Sequence, residues 1–248
     1  MRALNTLCAR QLKRYIRSPA RIVGSLGQPV IFLLALGFGI GAVFARAGAG
    51  NYFTFLAPGI IAMGIMFTAV FSGIEIIWDR QFGFLKETLV APVSRLEIVL
   101  GRVLGGAIVA VLQGVAVFIV CLFFGFRIHH WLWLPLALAF MFLISLLFTS
   151  IGTAIGSVLR DMQGFPLVMN FLVMPLFFFS DALFPMKGLP PVLEGALRLN
   201  PVTYGVDGLR GAFSTTFTFS IATDFAVLAV LTGILLALGS WLFARIQL

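Results

Sequence analysis

Charge is what this sequence has least of. Charged side chains make up 10% of its 248 residues, against about a quarter in soluble globular domains. With 60% hydrophobic residues and a mean hydropathy of +1.08, that shortage excludes a water-soluble fold and leaves an all-α polytopic membrane protein. Other shortages exclude chemistry. The two histidines, His129 and His130, are adjacent, a poor spacing for joint zinc ligation, and no metal site is expected. The two cysteines, Cys8 and Cys121, fall near opposite membrane faces, so no disulfide is expected. None of Lys13, Lys86 and Lys187 follows a glycine, which rules out a P-loop, so the chain is expected to bind no cofactor itself. No Ser, His and Asp can meet as a catalytic set, and the nine acids are scattered. Ion-driven carriers bury ionisable groups at mid-depth. Here Glu75 and Asp79 lie toward the inner end of one apolar run and Asp181 toward the outer end of another. Thr68, Ser72, Gln113, Ser145, Thr149, Ser150 and Asn170, the polar residues at mid-depth, are neutral and suit hydrogen bonding between helices. The chain reads as a transport path whose energy source lies elsewhere.

What is present is arranged in apolar runs. The first, Ile22 to Phe44, is too long for the core of a signal peptide and spans roughly 35 Å as a helix. Others follow at Phe53 to Ile77, Val103 to Phe126, Trp131 to Leu159, Phe165 to Phe184 and Ile221 to Ala244. Six transmembrane helices are therefore expected, in one transmembrane domain over 1–248. Residues 1–21 place Leu4, Leu7, Cys8, Leu12, Tyr15 and Ile16 opposite Arg10, Lys13, Arg14 and Arg17. That pattern predicts a basic amphipathic helix lying flat on the membrane, its arginines on lipid headgroups. The formal charge of +8 is explained by such arginines and not by nucleic acid. With the amino terminus inside, twelve of the seventeen Lys and Arg fall on the cytoplasmic side, which places both termini there.

Small residues four apart, Gly37 with Gly41, Gly101 with Gly105 and Gly152 with Gly156, predict close helix packing. Pro166 and Pro175 interrupt the fifth run, which is expected to face protein or a wet cavity. The segment 185–220 is more polar and external. It reads as two short helices, Leu193 to Leu199 and Tyr204 to Phe213, with Asp207 and Arg210 spaced to form an outer ion pair.

The charged interval between two apolar runs is Trp78 to Gly106, of which 78–101 is read as a cytoplasmic segment. Phe82, Leu85 and Leu89 recur at helical spacing against Arg80, Lys86 and Glu87, and Pro92 stops that helix. Ser94 and Glu97 then form a capping box for the next one. A charged, partly amphipathic helix between two spans either lies in the interface or presents a knob to a soluble partner.

The run from Asp79 to Glu87, continuing through Leu89-Val90-Ala91-Pro92-Val93-Ser94-Arg95, Glu97 and Gly101-Arg102, resembles the signature of type 2 ABC transporter permeases, particularly their daunorubicin-resistance-type and nodulation-factor exporter branch. Asn200-Pro201, Tyr204, Asp207 and Arg210 are similar to that family's second, shorter signature. The resemblance implies an exporter subunit that pairs with a second permease copy and two copies of an ABC ATPase, which would supply ATP and Mg. It makes the amino-terminal segment a connecting helix and Arg80, Phe82, Gly83, Leu85, Lys86, Glu87, Leu89 and Pro92 a coupling element in an inner membrane. Phe67, Phe71, Asn170 and Phe178 would then line a path between the two copies for an amphipathic drug-like or lipid-like molecule. Export of polysaccharide or lipo-oligosaccharide is the alternative, and a self-sufficient carrier is a further one.

Overall fold

A computed structural model describes residues 2–46, 52–85, 93–128, 130–186 and 189–246, with helices and connecting turns and no strand among them. In hydrocarbon a backbone must satisfy its own polar groups, and a helix does so within one segment. At the centre stands α3 (Tyr52–Phe71), on which every residue from Leu56 to Met66 is buried. It is surrounded by α2 (Pro19–Arg46), α5 (Arg95–Phe123) and α6 (Leu134–Val158). The chain kinks at Ser72-Gly73, where the tighter bonds Ser72 N–H to Ala69 O and Gly73 N–H to Val70 O replace the helical ladder. It resumes as α4 (Ile74–Gln81).

The kink lies where backbone meets backbone. A Cβ on Gly73 would come 2.0 Å from the Gly152 carbonyl oxygen, and one on Gly152 2.2 Å from that of Val70. The Gly152 and Gly156 pair is thus a seat for the α3–α4 junction. Gly101 and Gly105 form a second seat. There α1 (Arg2–Ile16) packs with Leu4 and Leu7 against Gly101, and Cys8 and Gln11 against Gly105. Tyr15 donates to the buried Gln113 side chain at 2.6 Å. The amphipathic helix expected to lie flat therefore runs lengthwise along the first half of α5.

Five described segments are long and apolar enough to cross a membrane: Ile22–Gly41, Tyr52–Gln81, Arg95–Phe123, Trp131–Val158 and Ile221–Ala244, the last being α10. The run expected as the fifth span is instead α7 (Gly164–Phe178), a helix of 15 residues, roughly 22 Å against a hydrocarbon core of about 30 Å. It rests on the bundle by the stripe Phe165, Met169, Val173 and Phe177. Its hydropathy continues to Phe184, but the helix stops because Asn200 takes its last carbonyls, donating to Leu176 O at 2.6 Å and Phe179 O at 2.5 Å. The same Asn200 accepts from Val202 N–H at 3.0 Å and so caps α9 (Pro201–Ser214), which follows α8 (Pro191–Leu199).

This far end of the bundle is held by further buried polar groups. Arg210 does not pair with Asp207 three residues earlier. It pairs with Asp181, donates to the Asp181 carbonyl at 2.6 Å and lies over the Phe55 ring, 4.2 Å from its centroid. The pair forms across elements because Asp207 is occupied: it accepts from Thr218 and Phe219 N–H groups at 2.8 to 3.0 Å, closing the turn into α10.

Candidate functional site at the basic end

At the opposite end, where α5 begins and α10 finishes, side chains from four helices converge. Ser94 caps α5 by accepting from Glu97 N–H at 3.2 Å, as the Ser-x-x-Glu spacing predicts. Arg95 donates to Ala244 O, joining the start of α5 to the finish of α10. Two turns into α5, Arg102 meets Asp79 of α4 at 2.5 Å, with each side chain 6% exposed. Asp79 also takes Arg10 of α1 at 3.4 Å. One turn back on α4, Glu75 takes Arg14 at 3.5 Å and the Gln11 amide at 3.4 Å.

These contacts form a ladder. Acids at 75 and 79 and arginines at 10 and 14 each repeat at four residues, so α1 and α4 can pair rung by rung when antiparallel. Arg10 and Arg14, expected on lipid headgroups, therefore face carboxylates. Arg102 is the buried rivet beneath them. A buried pair with both partners in place avoids the several kcal/mol that an uncompensated charge costs, whereas the rungs, whose arginines are 44% and 40% exposed, are screened and exchangeable.

Of the residues expected to form the coupling element, Arg80 is turned inward. Its two terminal nitrogens donate to Ser157 O at 2.8 Å and Leu159 O at 3.1 Å, neutralising the carbonyl end of α6. Gly83 has φ +79°, the left-handed conformation that ends helices and that glycine adopts without penalty. It divides the predicted apolar face. Phe82 before it is 69% exposed, while Leu85 after it is buried in a small cluster with Ile76, Ile98, Val103 and Phe243. Lys86, Glu87, Leu89 and Pro92 lie outside the described residues.

The four path residues do not converge. Phe67 and Phe71 stack, with centroids 6.4 Å apart, and line a cavity of about 200 Å³ with Tyr15, Ser25, Gln28 and Thr68. Asn170 and Phe178 do not line it. Both are exposed on α7, Phe178 beside Phe32. The residues that sequence reading missed are Arg10, Arg14, Glu75 and Asp79 as a set. Their matched spacing was the available signal.

A family model described as "ABC-2 type transporter" matches residues 2–214. The chain belongs to the ABC-2 type transporter family. This ABC-2 permease is 32% identical over 193 residues to Nodulation protein J of Rhizobium leguminosarum bv. trifolii, covering 77% of this chain and 73% of the relative. It is 29% identical over 234 residues to the inner membrane transport permease YadH of Escherichia coli (strain K12), covering 92% and 89% respectively. Nodulation protein J of Rhizobium meliloti (strain 1021) matches at 28%, with 77% and 73% covered. In this permease the ladder joins α1 to α4 and α5, all three within the matched residues. The matched region thus includes the whole basic end except the close of α10.

Proposed function

We propose that the chain is the membrane subunit of an ATP-driven exporter in a bacterial-type inner membrane. Two copies would work with two ABC ATPase subunits to move an amphipathic, drug-like or lipid-like molecule outward from the cytoplasm or inner leaflet. Membership of the ABC-2 family implies an ABC ATPase partner; ATP and Mg enter through it. The observation that carries the mechanism is the ladder, which ties α1, α4 and α5 into one body at the end richest in arginine. That end is cytoplasmic by the positive-inside rule.

The segment after α4 is the contact for the ATPase. Phe82 and Phe84 are 69% and 50% exposed there, beyond the hydrocarbon run, and the left-handed Gly83 directs the chain away from the helix axis. A push on this segment passes to α4, whose acids hold α1, whose own end feeds α2. Coupling needs contacts that differ between two states. Exposed ion-pair rungs can be remade with little cost, while the Arg102–Asp79 rivet keeps the body whole. The Phe67 and Phe71 cavity, lined by aromatic rings together with the polar Ser25, Gln28 and Thr68, favours an amphipathic cargo. The exposed face of α7, with Leu167 at 72% and Phe171 at 85%, suits a second copy.

The test is purification of the tagged chain from native membranes. A stoichiometric P-loop ATPase should accompany it, and Phe82→Asp with Phe84→Asp should release that subunit from a chain that still inserts. A chain that purifies without a nucleotide-binding partner, yet moves solute in vesicles, would sink the proposal in favour of a self-sufficient carrier.

A further inference from the structure

Arg80, Arg160 and Arg245 line one cavity of about 220 Å³ at the basic end, with Ser157, Val158 and Leu242 beside them and no acid among the described lining residues. Among the described residues none of the three has a carboxylate partner. Asp161, next in sequence to Arg160, is occupied, accepting from Gln163 and Gly164 N–H groups at the start of α7. The negative helix ends nearby are already covered: Arg80 spends both terminal nitrogens on α6 carbonyls, and Arg95 takes Ala244 O at the end of α10. Arg80 Nε remains buried without a partner. Arg160 and Arg245 thus hold the uncommitted charge. Arg245 lies over the Trp241 ring, 3.6 Å from its centroid, and tryptophan of this kind marks the depth of lipid headgroups.

The cavity does not end at the arginines. Val158 and Leu242 also belong to a groove of about 350 Å³ between α6 and α10, whose lining is aliphatic throughout, including Ile151, Ala154, Leu235 and Leu238, with Val168 of α7 at its edge. A cationic cup opening into an apolar trough matches one kind of ligand. A free anion would leave the trough empty, and an uncharged lipid would leave the arginines unmatched. An acidic side chain of a soluble partner would fill only the cup. We propose that this is a binding site for one anionic phospholipid, with its phosphate at Arg160 and Arg245 beside Arg80 and an acyl chain laid between α6 and α10.

The purified, delipidated full chain is titrated with dioleoylphosphatidylglycerol, dioleoylphosphatidylethanolamine or glycerol phosphate, and bound lipid is counted by native mass spectrometry. One phosphatidylglycerol should be retained per chain, about tenfold more tightly than the zwitterionic lipid. Arg160 and Arg245 are exposed, so R160Q/R245Q should keep the folded elution profile and lose that preference. Leu238→Trp, filling the trough, should weaken phosphatidylglycerol retention in a chain whose charges are intact. Equal retention of the two lipids, or unchanged retention by R160Q/R245Q, overturns the site. So does displacement of phosphatidylglycerol by glycerol phosphate at equal concentration, which would make it a free-anion cup. Loss of a co-purifying ATPase from R160Q/R245Q with lipid retention intact would assign these arginines to the partner and also overturns it.

Discussion

The two ends of this permease differ in the balance of their polar contacts. At the basic end the ladder runs from side chain to side chain, Arg10 and Arg102 to Asp79 and Arg14 and Gln11 to Glu75, beside the helix-end carbonyls that Arg80 and Arg95 take. At the far end the contacts run from side chain to backbone: Asn200 to Leu176, Phe179 and Val202, Asp207 to Thr218 and Phe219, and Arg210 and Asp181 to main-chain atoms as well as to each other. A side-chain pair can be broken and remade with another partner at low cost where water reaches it. A bond that supplies the missing partner of a buried helix end cannot, because breaking it strands a backbone group. The far end is therefore built to stay in one arrangement, and the ladder at the basic end, around the buried Arg102–Asp79 rivet, to exchange partners.

The sharpest test of that contrast is the rivet. Asp79→Leu leaves the buried Arg102 without its carboxylate, and Arg102 Nε already lacks a partner. A loss of about 3–5 kcal/mol is expected, seen as a collapse of the monodisperse peak in detergent after mild heating. The double variant D79L/R102M should recover most of it, since an apolar pair of similar volume can replace a buried ion pair. Failure of that rescue would mean Asp79 acts chiefly through Arg10. Next comes Asn200→Ala, which removes three bonds to backbone at once and should cost about 3 kcal/mol. Because Asn200 joins the ends of α7 and α9, protease sensitivity should appear near Phe179 while the Arg10 and Arg14 contacts stay intact. If Asn200→Ala instead loosens α1, the two ends are not independent.

Much of this plan is legible in the sequence and some is not, for reasons that particular residues make plain. The apolar runs predict the helices because hydrocarbon leaves a backbone no other choice, and Ser94 with Glu97 marks the start of α5 because a cap is local chemistry. The glycine spacings at 101/105 and 152/156 predict close packing without naming what packs there. Hydropathy fails at α7, since the apolar run carries on to Phe184 past Ser180 and Asp181 while the stop signal sits on Asn200, some twenty residues on. It fails equally for ion pairs. The Asp207 and Arg210 spacing is helical, yet backbone donors of the next turn claim Asp207 and leave Arg210 to Asp181. The ladder was present as matched four-residue spacings on α1 and α4, but only the fold sets those helices antiparallel. In the coupling segment, the period joining Phe82 to Leu85 is real and Gly83 breaks it.

A smaller effect on stability, with a larger one on function, is expected when the rungs are cut. Arg10→Ala with Arg14→Ala removes two partly exposed pairs and should shift thermal stability by less than about 1 kcal/mol. On the proposed mechanism it should still uncouple ATP hydrolysis from transport, since α1 would no longer follow α4. Unchanged transport per ATP hydrolysed would remove the ladder from the coupling path.

The smallest effect should have the opposite sign, because the far end contains one exception to its own rule. Asp224, in the first turn of α10, is fully buried, and neither of its carboxylate oxygens has a hydrogen-bond donor. It faces Asp207, whose oxygens are already taken by Thr218 and Phe219. Every other buried acid at that end is matched to a donor; this one meets a second acid. Asp224→Asn removes the like charge and offers an amide hydrogen to Asp207 at nearly unchanged volume, so it should stabilise the chain by up to about 1 kcal/mol, read as a higher melting temperature in detergent. The gain should vanish in a chain that also carries Asp207→Asn, because the repulsion it relieves is then gone. A clear destabilisation by Asp224→Asn alone would show that the two carboxyl groups need the proton they can share, and that the far end too contains a contact able to change state.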